Sequence, residues 1–109
     1  MYLETKINFM NINFHYDGVT ASNRLEIFAA KKIDKLFNKY DFIVRADVFF
    51  KSENTSSPET GKVIGIRLSA PGPRLFSESN VASFEAAITS TVDDLNRQLE
   101  KRKAKMKTH

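Results

Sequence analysis

Cysteine is absent from the 109-residue sequence, and glycine and proline are scarce, with four and three residues. The lack of cysteine excludes disulfide bonds, thiolate metal sites and cysteine nucleophiles, and it fits a reducing compartment without proving one. The four glycines are scattered, without the close spacing of a phosphate-cradling loop. These absences argue against a disulfide-stabilised scaffold, a thiol enzyme and a phosphate-loop protein.

Long hydrophobic runs are absent as well. No stretch of eighteen or more apolar residues is present, and the N-terminus lacks the basic segment, apolar core and small-residue cleavage site of a signal peptide. We therefore expect a cytoplasmic protein that does not span a membrane. At this length a single domain with one core of modest size is expected.

Groups for catalysis or metal binding are few. The two histidines, His15 in an alternating segment and His109 at the C-terminus, make no metal site together. No serine stands in a nucleophile elbow. Asp93 and Asp94 point about 100° apart on a helix, which is unsuitable for paired-carboxylate chemistry. We expect no enzymatic activity, no metal, no cofactor and no small-molecule substrate.

Positive charge is concentrated at the C-terminal end. Residues 97–109 hold six Lys or Arg and one acid, so they carry +5, while residues 1–96 sum to −1. Apolar residues keep helical spacing through the start of this segment, which indicates a helix that docks one face and offers the other to an anion. This pattern favours a polyanionic partner such as nucleic acid, with an anionic membrane surface as the weaker alternative.

The first third of the chain predicts a strand and then a helix. Alternation over residues 1–16 fits either two short strands or one strand with an irregular lead-in, and Asp17-Gly18 closes it with a turn. Ser22 or Asn23 can cap a helix whose apolar positions run from Leu25 to Tyr40. A basic stripe adjoins the apolar one and contains Arg24, Lys31, Lys32, Lys35 and Lys39. Phe28 projects among these bases, where it either packs at the core edge or stacks on a partner.

The middle of the chain predicts three more strands in a meander. Apolar and polar residues alternate over residues 42–51, 62–70 and 74–78. A loop without apolar residues at 52–60 separates the first two of these strands, and Pro71-Gly72-Pro73 separates the last two. In the first of these strands the buried face is expected to hold Val44, Ala46, Val48 and Phe50.

The last helix can be capped by Ser79, Asn80 or Ser83, and its apolar stripe runs from Phe84 to Leu99. Arg97, Lys101 and Lys105 recur on one flank, and Lys103 lies with Lys107 on the opposite flank. Arg102 falls in the core arc, so we expect the helix to have passed the sheet there and to be solvated over its last two turns. The order β-α-β-β-β-α predicts an α+β fold of about four strands with two helices packed on one face.

Three segments together carry a resemblance to a known family: DLNRQLEKRKAKMK, SNRLEIFAAKKIDKLFNKYD and RADVFFK. They resemble ribosome hibernation promoting factors, also called ribosome-associated translation inhibitors, from about Met10 to the C-terminus. The resemblance implies a fold similar to the double-stranded RNA-binding domain. It also implies a protein that binds the small ribosomal subunit, its rRNA and its proteins, near the mRNA and tRNA path, and that inhibits translation in stationary phase or stress.

The resemblance also nominates rRNA-binding residues, of which the R-Q-L-x-K-x-K element at residues 97–103 is the most specific part. It implies that Lys32 and Lys35 on the first helix and Arg97, Lys101, Lys103 and Lys105 on the last hold rRNA phosphates. Lys31 and Lys39 complete the first-helix stripe. Such contacts contribute affinity without recognising the base sequence of the RNA, and they weaken strongly as the salt concentration rises.

Three departures from the family pattern bear on these expectations. The D-x-x-A-A-I-D opening of the last helix reads Ser83 to Thr89 as S-F-E-A-A-I-T, so capping should survive while a partner contact by those aspartates is in doubt. The family start aligns with Met10, which makes residues 1–9 an extension and residues 10–109 one ribosome-binding domain. The extension either lengthens the first strand or reflects an upstream start codon. An end at His109 is similar to the short form, which silences single ribosomes or needs a second small hibernation protein to pair them.

Two other functions compete with this one. The first is a general double-stranded RNA-binding domain. The second is a protein-interaction module that modulates a sigma factor through the open face of the sheet.

Overall fold

The computed structural model describes residues 11–106. The elements are β1 (Ile12–Asp17), α1 (Asn23–Lys39), β2 (Arg45–Ser52), β3 (Lys62–Ser69), β4 (Leu75–Val81) and α2 (Phe84–Met106). The order β-α-β-β-β-α is the predicted one. Expectations for residues 1–10, for Lys107 and for His109 lie outside the described residues.

The strands form one mixed sheet in the order β1-β2-β3-β4. β1 runs parallel to β2, with Phe14 opposite Val48, because α1 carries the chain back across the sheet between them. β2, β3 and β4 form an antiparallel meander, as expected, with Val48 opposite Ile66 and Ile66 opposite Ser77.

Both helices cover the same face of the sheet. Alternate strand residues such as Val48, Phe50 and Ile66 are fully buried there, as a pleated strand packed on one side requires. They share one hydrophobic cluster with the apolar stripes of α1 and α2, among them Ile33, Leu36, Ile88, Leu95 and Leu99. Phe28 is half-buried against this cluster, so it packs at the core edge.

Two serines cap the helices. The Ser22 hydroxyl accepts from the Leu25 amide at 3.3 Å, and the Ser83 hydroxyl accepts from the Ala86 amide at 3.1 Å. Ser79 and Asn80, the other candidate caps of α2, belong to β4, which runs to Val81 rather than ending at residue 78.

The expectation that Val44 is buried is wrong. Its side chain is 63% exposed. Val44 precedes β2, and the register between β1 and β2 begins only at Ala46, so Val44 lies outside that ladder.

The expectation that α2 is solvated beyond the sheet is wrong at Arg102. Its Nη1 donates to the carbonyl of Pro71 at 2.6 Å and its Nη2 to that of Pro73 at 2.8 Å. The loop between β3 and β4 thus supplies two carbonyl acceptors for a guanidinium that lies on the apolar stripe of α2. Gly72 has a φ of 94°, a backbone conformation that residues with a side chain rarely adopt, so glycine is favoured in this loop. A Cβ there would also lie 3.1 Å from Arg102 Nη1.

Candidate nucleic-acid interface

The basic stripe of α1 lies beside its buried face. Lys31, Lys35 and Lys39 are exposed and Lys32 is half-buried. The Lys32 ammonium lies 5.3 Å from the centroid of the Phe28 ring. Such a cation–π contact contributes about 0.5–1 kcal/mol at an exposed site, so Phe28 supports the side chain of Lys32.

A crevice of about 260 Å³ separates α1 from α2. Its apolar floor includes Leu36 and Val92. Its polar walls hold three lysines, one carboxylate and one amide: Lys32, Lys35, Lys39, Asp93 and Asn96. With three lysines and one aspartate, the crevice carries two net positive charges, which suits an anion such as a phosphate.

The two helices are joined by polar contacts at the end of the crevice. The Tyr40 hydroxyl donates to Asn96 Oδ1 at 3.0 Å, and the Lys39 ammonium donates to the same oxygen at 3.4 Å. Lys39 also lies 3.8 Å from the Glu100 carboxylate. We call these four residues the helix junction: Lys39, Tyr40, Asn96 and Glu100.

Lys103 lies on the side of α2 that faces α1. Its ammonium is 5.8 Å from the centroid of the Tyr40 ring, and the Lys39 ammonium is 5.4 Å from the same centroid. A second hollow of about 330 Å³ is lined by Lys39, Tyr40, Glu100, Lys103 and Ala104. Because Lys39 lines both hollows, the structure joins Lys103 to the α1 lysines in one basic surface.

Arg97, Lys101 and Lys105 lie on the exposed outer part of α2. The surroundings of Arg97 are mixed in charge, since its guanidinium lies 3.5 Å from Asp94 and lines a shallow depression with Glu85 and Asp93. Hydrogen bonds from Ser77 and Gln98, together with the Arg97 charge, hold the pKa of Asp94 below its usual value despite some burial. Arg97 is 65% exposed, so its ion pair is weak and can be exchanged for a phosphate contact.

Sequence reasoning missed the helix junction. The sequence pattern places Tyr40 on the apolar stripe and predicts no role for Asn96 or Glu100. No local signal could have found it, because a polar residue next to an apolar one is ordinary on an amphipathic helix.

The opposite, open face of the sheet is polar and aromatic rather than basic. Asp47 is only 4% exposed there and lies within 3.4 Å of Asn13, His15, Arg45 and Arg67. Phe49 stacks on His15 with 4.6 Å between ring centroids, and Phe76 is 49% exposed. Arg45 and Arg67 on this face are therefore both engaged with the Asp47 carboxylate.

The part of the chain that the structure describes holds neither a metal-binding cluster nor a membrane-spanning helix. Between residues 11 and 106, no group of three or more His, Cys, Asp or Glu side chains is placed to hold a metal ion. Neither described helix is apolar enough over its length to cross a membrane.

Comparisons with solved structures agree with the fold. Two solved structures share the fold: a ribosomal subunit interface protein from Coxiella burnetii and the N-terminal domain of Protein Y from Thermus thermophilus. The first has a TM-score of 0.72 at 20% identity, covering 85% of this chain and 97% of its own. The second has a TM-score of 0.71 at 22% identity, covering 84% and 98%.

A comparison with curated proteins gives no match. One family model, described as Sigma 54 modulation protein / S30EA ribosomal protein, matches residues 12–107. Because this match spans nearly the whole chain, the protein belongs to the Sigma 54 modulation protein / S30EA ribosomal protein family.

Proposed function

We propose that this protein is a non-enzymatic regulator of translation that binds the rRNA of the small ribosomal subunit near the mRNA and tRNA path. Membership of a family described in part as ribosomal supports this proposal. So does the likeness of its fold to a protein named for the ribosomal subunit interface. Residues 10–109 would form the ribosome-binding domain, acting in the cytoplasm during stationary phase or stress.

The crevice between the helices is the observation that carries the proposal. Lys32, Lys35 and Lys39 converge there from one side, and Lys103 joins them at the helix junction. Lysine ammonium groups bind phosphates as point charges and recognise the shape of a folded RNA backbone rather than its sequence. Lys31, Arg97, Lys101 and Lys105 would extend this surface outward along the two helices.

The mechanism we infer is steric occlusion. A folded domain anchored through several phosphates occupies space that mRNA and tRNA need, and no covalent chemistry is involved. Each phosphate contact releases a counterion, so affinity should fall steeply with salt. Ribosomal proteins of the small subunit, and a second small hibernation protein, are further candidate partners.

Cosedimentation with purified small ribosomal subunits tests the proposal. Arg97→Glu with Lys101→Glu, and separately Lys32→Glu with Lys35→Glu, should keep the fold by circular dichroism and lose binding. Lys51→Glu with Lys62→Glu is the matched control, because it makes the same charge change on the sheet. Undiminished binding in both helix variants would refute the proposed anchor. Displacement of the protein by mRNA with initiator tRNA, and weak binding to free duplex RNA, would separate this function from general duplex binding.

A second candidate function is modulation of a sigma factor through a protein contact. It is favoured by the first half of the family description and by the aromatic open face, where Phe76 is half exposed. Such a contact should weaken much less with ionic strength than one made by several phosphates. Binding to a purified sigma factor that persists at high salt, and that is lost in Phe76→Ala, would support this alternative.

A further inference from the structure

The helix junction has an unusual composition for a contact between two helices. Tyr40 is only 2% exposed, yet its hydroxyl reaches Asn96 Oδ1, and the same oxygen accepts from the Lys39 ammonium. The Tyr40 ring also lies within cation–π distance of both Lys39 and Lys103. Tyr40 thus contacts one lysine from each helix, and Asn96 contacts Lys39.

We propose that Tyr40 and Asn96 are positioning residues for phosphate binding, which hold Lys39 and Lys103 ready at the junction of the two helices. This inference rests on the proposed function, since it assigns the two residues a role in RNA affinity. Neither residue needs to touch the RNA. They act through the two lysines, whose long side chains would otherwise lose more rotamer freedom on binding.

The chemistry of Asn96 distinguishes positioning from simple stabilisation of the fold. Its amide oxygen is neutral, so it orders the Lys39 ammonium without cancelling the charge that a phosphate needs. A carboxylate at this place would hold Lys39 more firmly and at the same time compete with the RNA. Asn96→Asp should therefore leave the melting temperature unchanged or higher, and weaken binding to small ribosomal subunits.

Removal of one hydroxyl tests the role of Tyr40. Tyr40→Phe keeps the ring and loses the hydrogen bond to Asn96, so binding to small ribosomal subunits should weaken about threefold to tenfold. Tyr16→Phe is the matched control. It removes a hydroxyl that donates to Glu26, away from the helix junction, and should change stability without changing affinity.

A double-mutant cycle with Lys39→Ala decides whether Tyr40 acts through Lys39. If it does, Tyr40→Phe should have little further effect on affinity once Lys39 is removed. Wild-type affinity in both Tyr40→Phe and Asn96→Asp would overturn the inference, as would an undiminished effect of Tyr40→Phe in the Lys39→Ala background. A wild-type protein that does not bind the subunit would instead overturn the proposed function, and this inference with it.

Discussion

Lys39 of α1 and Glu100 of α2 form an ion pair across the helix interface, with 3.8 Å between Nζ and Oε2. Both side chains are more than half exposed, so the pair contributes less than about 1 kcal/mol to stability. Its greater effect should be on binding, because Glu100 places a negative charge where the two basic helices meet. We expect Glu100→Gln to tighten binding to small ribosomal subunits about twofold to fivefold at low salt, by removing repulsion of phosphate.

Measurement at two salt concentrations checks this prediction, since the gain should shrink as salt rises. Glu78→Gln is the control. It makes the same change in net charge, but from an exposed position on β4. Equal gains in the two variants would show that overall charge, rather than the place of Glu100, governs affinity.

Arg102 and Lys101 are neighbours in sequence with different expected roles. Arg102 bonds two loop carbonyls, whereas Lys101 is exposed on α2. Arg102→Ala should lower the free energy of unfolding by about 1–2 kcal/mol, because charged hydrogen bonds to Pro71 and Pro73 are lost. Lys101→Ala should change stability by less than about 0.5 kcal/mol and weaken ribosome binding more than Arg102→Ala does.

Urea denaturation and cosedimentation of the same two variants provide the measurement. Arg102→Lys should restore little of the lost stability, because an ammonium cannot reach two carbonyls as a planar guanidinium does. If Lys101→Ala proved the more destabilising of the two, the assigned roles would be reversed.

Helical periodicity was enough to predict the apolar and basic sides of both helices, since these depend only on spacing within one element. It could not place Arg102, because the carbonyls that bond it lie about thirty residues earlier in a loop. Nor could it show that Ser79 and Asn80 belong to β4. Their cap-forming tendency is overridden by pairing with Ile64 and Val63 on β3.

The candidate site likewise combines features that the sequence predicts with features that only the structure shows. The lysines could be named from the sequence, but the crevice depends on how α1 and α2 pack. The contact between Tyr40 and Asn96 joins residues that are 56 positions apart. Such a contact has no local pattern, so the helix junction could be found only in the structure.

Asp47 should make stability depend on pH. Burial raises its pKa, but hydrogen bonds from His15, Asn13 and Arg67, with the Arg67 charge, outweigh burial and leave the pKa below its usual value. Because the folded pKa is depressed, the stabilisation is fully present above the pKa of an unfolded aspartate, about 4, and is lost as pH falls through the folded value. We expect Asp47→Asn to cost about 1–3 kcal/mol at pH 7.

Denaturation from pH 7 down to pH 2.5 checks this expectation. The stability difference between wild type and Asp47→Asn should not shrink between pH 7 and about pH 5, and it should shrink below about pH 4. Asp93→Asn, at an exposed position on α2, should show a much smaller difference at pH 7. A difference for Asp47→Asn that persisted unchanged at pH 2.5 would contradict the assignment to its carboxylate.

Ser83 caps α2, and its hydroxyl accepts from the Ala86 amide. Ser83→Ala leaves this donor without its side-chain partner and should cost about 1 kcal/mol. Ser90→Ala is the control, because Ser90 is exposed within α2 and alanine is the better helix former there. Thermal denaturation should therefore show Ser83→Ala melting lower than wild type and Ser90→Ala melting at the same temperature or slightly higher.

Ser83→Asp should retain the cap, since a carboxylate also accepts hydrogen bonds from the amides of the first turn. Its negative charge also interacts favourably with the positive end of the helix dipole. Equal melting of Ser83→Ala and wild type would show that the hydroxyl contributes nothing to the start of α2.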